Sequence, residues 1–181
     1  MSLRAAVYVI LQHSRGTRVT RLPRADGLTG PGPRPGGRSV LMMRRQGGWG
    51  AGQWTLPSGH VDPDPQSHLG VLETPTRAAV REVIEEVGVV VPEDSLEIVH
   101  AVYRTSTTRT GTSSESHDAR TYVDFFLEAA RWSGTPAIME PSKCDQIRFV
   151  DVDGDLPRPT LPHVRRALRS WKAGIPFAID S

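Results

Sequence analysis

The sequence predicts a mixed α and β fold in which helices pack on the faces of a mixed sheet. Three observations carry this expectation: β-branched and aromatic runs of strand length recur along the chain, two segments space apolar residues at helical intervals, and the strand-like runs outnumber the helical ones. At 181 residues and 38% hydrophobic content, residues 1–181 suit one domain.

The elements follow in order. Residues 5–11 are β-branched and aromatic-rich and form a first strand. A signal sequence fits this opening less well, because the apolar run is short and no small-residue cleavage site follows it. Residues 39–43, SVLMM, form a second strand expected beside the first. Between them, residues 22–38 read LPRADGLTGPGPRPGGR, where proline and glycine leave little apolar surface to bury, so a flexible loop is expected. The glycine-rich turn GGWGAGQW leads into residues 55–61, TLPSGHV, and then into the proline-containing loop DPDPQSHLG.

A helix is predicted over residues 75–87, with Thr74 as its cap, Pro75 in its first turn and Gly88 as its stop. Residues 96–105 and 121–127 read as strands, and TSTTRTGTSSESHDA between them reads as a polar flexible loop. Residues 147–152 offer another strand. Residues 160–172 place Val164, Leu168 and Trp171 at helical spacing and form a second amphipathic helix.

Composition narrows the function classes. The net charge is +2, and among 22 basic residues only Lys143 and Lys172 are lysine, so the basic character is almost all arginine. No run of basic residues interleaves with aromatics, which gives no indication of a nucleic-acid surface. No stretch has the length of apolar residues that a membrane helix needs. A single cysteine, Cys144, allows no intramolecular disulfide, suits a reducing compartment and favours a cytoplasmic location.

The chemistry is concentrated between Arg81 and Gly88, which reads REVIEEVG. At about 100° per residue, Glu82, Glu85 and Glu86 crowd an arc of roughly 100°, while Val80, Val83, Ile84 and Val87 form the opposite, sheet-facing side. Glu82 and Glu86 repel one another across one turn, and a divalent cation would relieve them. Hard carboxylate oxygens suit Mg²⁺ or Mn²⁺, which also bind phosphates. An isolated E-x-x-E-E is more often a solvated face, with Arg81 pairing Glu85, so its surroundings must decide.

Those surroundings resemble a known family. Glu73, seven residues, and then Arg81-Glu82-Val83-Ile84-Glu85-Glu86-Val87-Gly88-Val89 are similar to the second part of the Nudix box, G-x5-E-x7-R-E-U-x-E-E-x-G-U, where U is a bulky aliphatic. Upstream, LPSGHVD resembles the strand and turn that open the box, with Gly59 as its first glycine. The sequence departs from the pattern here, because thirteen residues, 60–72, separate Gly59 from Glu73 where the family has five. An insertion within the box is therefore expected, at small entropic cost because closure entropy grows only logarithmically with length.

The resemblance implies a Nudix-type α/β/α sandwich and metal-dependent hydrolysis of a diphosphate linkage in a nucleoside diphosphate-X compound. It implies Glu82, Glu86 and Glu85 as metal ligands, joined by the Gly59 carbonyl. Glu85 and Arg81 then also serve catalysis, Glu73 supports the site by pairing with Arg81, and Glu140 is the candidate for a further acid from a downstream loop. Glu115, His117 and Asp118 are held in reserve for that same task. The downstream stretch beginning DFFLEAARW is similar to small nucleotide-directed Nudix hydrolases, which favours a nucleoside triphosphate or related nucleotide.

For substrate binding, Trp49, Trp54 and Tyr103 are candidates to stack on a base, and Arg44 and Arg45 to meet a phosphate. Homodimers are common in the family, and no partner protein or membrane is implied. Two other readings stand beside the hydrolase. One is a non-catalytic Nudix-fold nucleotide-binding or sensor module. The other is an isopentenyl diphosphate isomerase type, which shares the fold and requires a suitably placed cysteine that Cys144 poorly supplies.

Overall fold

A computed structural model describes residues 3–13, 38–67, 70–109 and 117–180. Its centre is strand β1 (Leu3–His13), which changes partner along its length. Ala6, Val7 and Tyr8 pair antiparallel with the short strand β4 (Ser58–His60), whereas Gln12 and His13 pair antiparallel with β2 (Ser39–Arg45). The split between these two partners opens a cleft beside β1. On its other side, β1 runs parallel to β6 (His117–Ala129) along nine residues, from Leu3 opposite Thr121 to Leu11 opposite Ala129.

The sheet continues from β6 to β5 (Leu96–Arg109), antiparallel, and from β5 to the edge strand β8 (Phe177–Asp180), parallel. On the opposite flank, β2 pairs antiparallel with both β3 (Trp54–Thr55) and β7 (Cys144–Asp151). The sheet is thus mixed, in agreement with the sequence.

Alternation along β1 feeds two cores on opposite faces. Val7, Val9 and Leu11 meet Ala78, Ala79, Val83 and Val87 of helix α1 (Pro75–Val87), and Ala6, Tyr8 and Ile10 share the other face with Val164, Ala167 and Leu168 of helix α2 (Pro162–Lys172). The result is an α/β/α sandwich. Each fully buried aliphatic side chain in these cores contributes about 1.5–3 kcal/mol. Among the described residues, no helix is long and apolar enough to cross a membrane.

Helix α1 has the bounds the sequence predicts. Thr74 accepts from the Arg77 N–H, Pro75 opens the helix, and Gly88 closes it in the left-handed region at φ +68. Its buried face departs from the wheel, however. Val83, Glu86 and Val87 are buried while Ile84 is 45% exposed, so the helix is turned to bring Glu86 inward towards β4 and to leave Ile84 outside.

Other elements differ at their limits. β5 and β6 run on to Arg109 and from His117, so most of the segment read as a loop is a ladder. The Thr- and Ser-rich sequence there carries no apolar alternation, so periodicity does not reveal the pairing. The strand β8 and the short helical turn Glu93–Ser95 carry no sequence signal of comparable strength. The expected flexible loop, apart from Arg38, lies outside the described residues, as does Glu115.

Candidate active site

Gly59 is the pivot of the site. It sits in β4, opposite Val7, and a Cβ built on it would stand 1.8 Å from Glu82 Oε1, so the Glu82 carboxylate fills the space that any other residue would occupy. One turn further along α1, Glu86 Oε2 accepts the Ser58 backbone N–H at 2.8 Å. β4 and α1 are therefore joined by two glutamates that both lie against its backbone.

Arg81 secures this arrangement from outside. Its Nη2 donates to Glu73 Oε1 at 2.6 Å and to the His60 carbonyl at 3.0 Å, while Nη1 donates to Glu82 Oε1 at 2.7 Å and approaches Glu85 Oε2 at 3.4 Å. Glu73 in turn accepts from the Asp62 N–H, and the Glu73 N–H donates to the Asp62 carbonyl. Burial alone would raise the Glu73 carboxyl, but these bonds and the charge of Arg81 outweigh it and hold its pKa below the ordinary range. The loop that leaves β4 is closed at its base by these bonds and by the Asp64 N–H to the Val71 carbonyl, which returns Glu73 to within reach of Arg81.

A cavity of about 580 Å³ opens beside β1 at the split between β2 and β4. Glu82, Glu86 and Gly59 line part of it, and the basic side chains of Arg45 and Lys143 line it as well. Burial, followed by the charges of Glu82 and Glu140, pushes the Glu86 carboxyl up to about 8, against the Ser58 N–H and Arg45, which draw it down. Burial likewise raises Glu82, countered by Arg81. Crowded carboxylates of this kind are relieved by a cation.

The donor set fits Mg²⁺ or Mn²⁺ as a partial site. Among the described residues no three His, Cys, Asp or Glu side chains converge to enclose a metal unaided. Mg²⁺ does not require such a cage, since it commonly takes one or two carboxylates and fills its remaining positions with water and substrate phosphate. Glu82 and Glu86 on a cavity wall, beside the backbone of Gly59, meet that requirement.

The remaining candidates separate clearly. Glu85 is exposed, with half its side chain in solvent, and lies at the outer edge of the cluster against Arg81. Glu140 pairs with Lys143 at 2.7 Å and its charge is felt by Glu86, so it stands near the acids. Arg45 lines the cavity. Arg44 does not, and is instead bonded through two nitrogens to Asp145. Trp54 is buried in the core with Arg148 over its ring, and Tyr103 is exposed but away from the cavity wall. Trp49, exposed and under Arg45, does line it. His117 and Asp118 fall in the ladder at the far end of β6. Cys144 is buried, and burial pushes its thiol up to about 11, which leaves it unreactive.

Sequence reasoning misses Tyr8, Arg104, Tyr122 and Lys143, all of which line the cavity. Tyr8, Arg104 and Tyr122 come from three strands that are neighbours only after folding, and the one local signal is Asp124, a charge in the middle of the apolar run of β6.

Comparison with known proteins agrees with this architecture. The NUDIX domain model matches residues 33–171. No curated protein matches the chain. Among solved structures, the MutT NUDIX hydrolase from Burkholderia pseudomallei is 22% identical, with 93% of this chain and 98% of that chain covered and a TM-score of 0.54. The E. coli ORF135 protein is 18% identical, with coverages of 96% and 91% and a TM-score of 0.56. The NUDIX domain of Shewanella oneidensis NrtR, complexed with ADP ribose, is 15% identical, with coverages of 96% and 88% and a TM-score of 0.60. At these identities the likeness is one of fold. The family model covers most of the chain and includes the acid-bearing helix, and the chain belongs to the NUDIX domain family.

Proposed function

We propose that this Nudix-family hydrolase cleaves a diphosphate linkage in a nucleoside diphosphate-X compound, a nucleoside triphosphate or related nucleotide, by attack of water on phosphorus. The observation that carries this reading is the seating of the Glu82 carboxylate against Gly59 beside the buried Glu86, on the wall of a cavity that also presents Arg45 and Lys143.

Glu82, Glu86 and the Gly59 carbonyl would hold Mg²⁺ or Mn²⁺, with Glu85 reaching it from the outer edge. A divalent ion bound there supplies charge neutralisation on the diphosphate and activation of water. Arg45 and Lys143 bind phosphate oxygens and orient the anhydride. Glu140 takes the proton of the attacking water as the new oxygen–phosphorus bond forms. The bridging oxygen–phosphorus bond breaks, and the leaving phosphate carries away the bonding electrons. Arg81, locked to Glu73 and the His60 carbonyl, positions Glu82. The loop between Gly59 and Glu73 is read as the box insertion, folded back at its base so that it spares this geometry.

The test is release of phosphate or pyrophosphate from a panel of nucleoside triphosphates, oxidised nucleotides, dinucleoside polyphosphates, sugar nucleotides and ADP-ribose. The last is included because the NrtR domain is complexed with it. Mg²⁺- or Mn²⁺-dependent turnover that is lost in Glu86→Gln is the expected result. Nucleotide binding without turnover across the panel would replace the hydrolase with a binding or sensor module.

A further inference from the structure

The cavity has two chemically different ends. Away from the acids, its wall is made by Tyr8 of β1, Arg104 of β5 and Tyr122 of β6. Register places Arg104 opposite Tyr122 and Val102 opposite Asp124, so Arg104, Tyr122 and Asp124 share one face of the sheet. Asp124 is fully buried, and Arg104 donates to both of its carboxylate oxygens, through Nε to Oδ2 and through Nη2 to Oδ1 at 3.4 Å. The guanidinium carbon lies 4.1 Å from the centroid of the Tyr122 ring. The Tyr8 hydroxyl on the same wall is fixed by His163 Nε2 at 2.9 Å.

A buried ion pair of this kind is a poor source of stability, because desolvation of both charges offsets their attraction. Its effect here is to hold a guanidinium rigidly at a cavity wall. Two of its five N–H donors are committed to Asp124, and the group remains partly open to the cavity. Because Asp124 cancels its charge, it offers donors without a net positive field. Phosphates are served better by Arg45 and Lys143. What suits the Arg104 end is a neutral, planar group with acceptors on its edge, and the exposed indole of Trp49 on the same cavity offers it a stacking surface.

We infer that Arg104, held by Asp124 and Tyr122, reads the acceptor edge of the substrate's nucleobase and selects bases with a carbonyl there, guanine foremost, over adenine. Guanine presents two adjacent acceptors, O6 and N7, which match the fork of an arginine, whereas adenine places an amino group beside its N7 and sets donor against donor. The inference rests on the nucleotide reading above and adds which end of the cavity takes the base.

The test compares GTP with ATP as substrates, and guanosine with adenosine as phosphate-free probes observed by NMR on the metal-free protein. Arg104→Met with Asp124→Asn removes the reader while leaving no buried charge unpaired, and its thermal unfolding is recorded alongside. The expected result is a preference of roughly tenfold or more for GTP in kcat/KM, expressed mainly in KM, and selective shifts with guanosine, both abolished in the double variant. Equal kcat/KM for GTP and ATP, equal binding of the two nucleosides by the wild type, or a guanine preference that survives in a folded double variant overturns the inference. The hydrolase reading stands in each of those cases if turnover needs metal and Glu86. Guanosine selectivity without any turnover supports base reading and defeats the hydrolase. The comparison of guanosine with adenosine on the wild type stands by itself, so a variant that fails to fold does not remove the test.

Discussion

Arg81 Nη2 lies 2.6 Å from Glu73 Oε1, and the same guanidinium reaches Glu82 Oε1 at 2.7 Å through its other terminal nitrogen. One side chain thus fastens the loop that leaves β4 to a carboxylate on the cavity wall. The bonds raise the pKa of Arg81 further above its already high value, so it stays charged at neutral pH.

Arg81→Lys keeps the charge but cannot reach Glu73, Glu82 and the His60 carbonyl together, because an ammonium lacks the planar fork. Turnover should fall by roughly tenfold or more, with a loss of about 1–2 kcal/mol in stability for charge-assisted bonds at a partly exposed site. Steady-state kinetics and urea unfolding measure the two effects. Unchanged kcat/KM with lowered stability would leave Arg81 a structural residue only.

Gly59→Ala tests the contact with Glu82 directly. The added Cβ would stand 1.8 Å from Glu82 Oε1, at the free end of a flexible side chain, so the carboxylate can swing away without moving backbone. Stability should change by less than about 2 kcal/mol, within the range for local overpacking. Activity should fall as far as it does in Glu82→Gln. Combining the two substitutions should then cost little more than either alone, since both remove the same carboxylate from the same place. Additive losses in the double variant would sink this account.

Much of this site is legible in the sequence because its parts are local. Thr74, Pro75 and Gly88 delimit α1, and the acids at positions 82, 85 and 86 follow from its period. What the period cannot give is the rotation of the helix, and Glu86 rather than Ile84 proves to be the buried residue. Likewise the pairing of Arg104 with Asp124 is set by the register of β5 on β6, across an intervening segment of polar residues that carries no alternation. Asp124 between Val123 and Phe125 is the one visible irregularity. A charge where a core strand is expected marks a buried partner without naming it.

Glu140 and Glu85 divide the catalytic question between them. Glu140 stands beside Lys143 and near Glu86, whereas Glu85 is half exposed at the outer edge of the cluster. Glu140→Gln should lower kcat by about a hundredfold or more, the usual effect of losing a general base. Glu85→Gln should act mainly on the Mg²⁺ concentration needed for half-maximal rate. A larger loss of kcat in Glu85→Gln than in Glu140→Gln would exchange the two assignments.

His163 gives the fold a pH dependence separate from catalysis. It is buried at the start of α2, with Nε2 against the Tyr8 hydroxyl and Trp49 stacked beside it. Burial, and then the charges of Arg104, Arg166 and Arg45 against that of Asp180, lower its pKa from 6.5 to about 4. Above pH 6.5 the imidazole is neutral in the folded and unfolded chains alike. As pH falls from 6.5 towards 4, the unfolded chain takes up a proton that the folded one excludes, so stability declines through this window and levels off below it. The decline attributable to this group is at most about 3.4 kcal/mol, at 1.36 kcal/mol for each pKa unit. His163→Gln retains a polar partner for Tyr8 but does not titrate. Denaturant unfolding at pH 7 and pH 5 should therefore show a smaller difference for the variant than for the wild type, and an equal difference would assign the acid sensitivity to other groups.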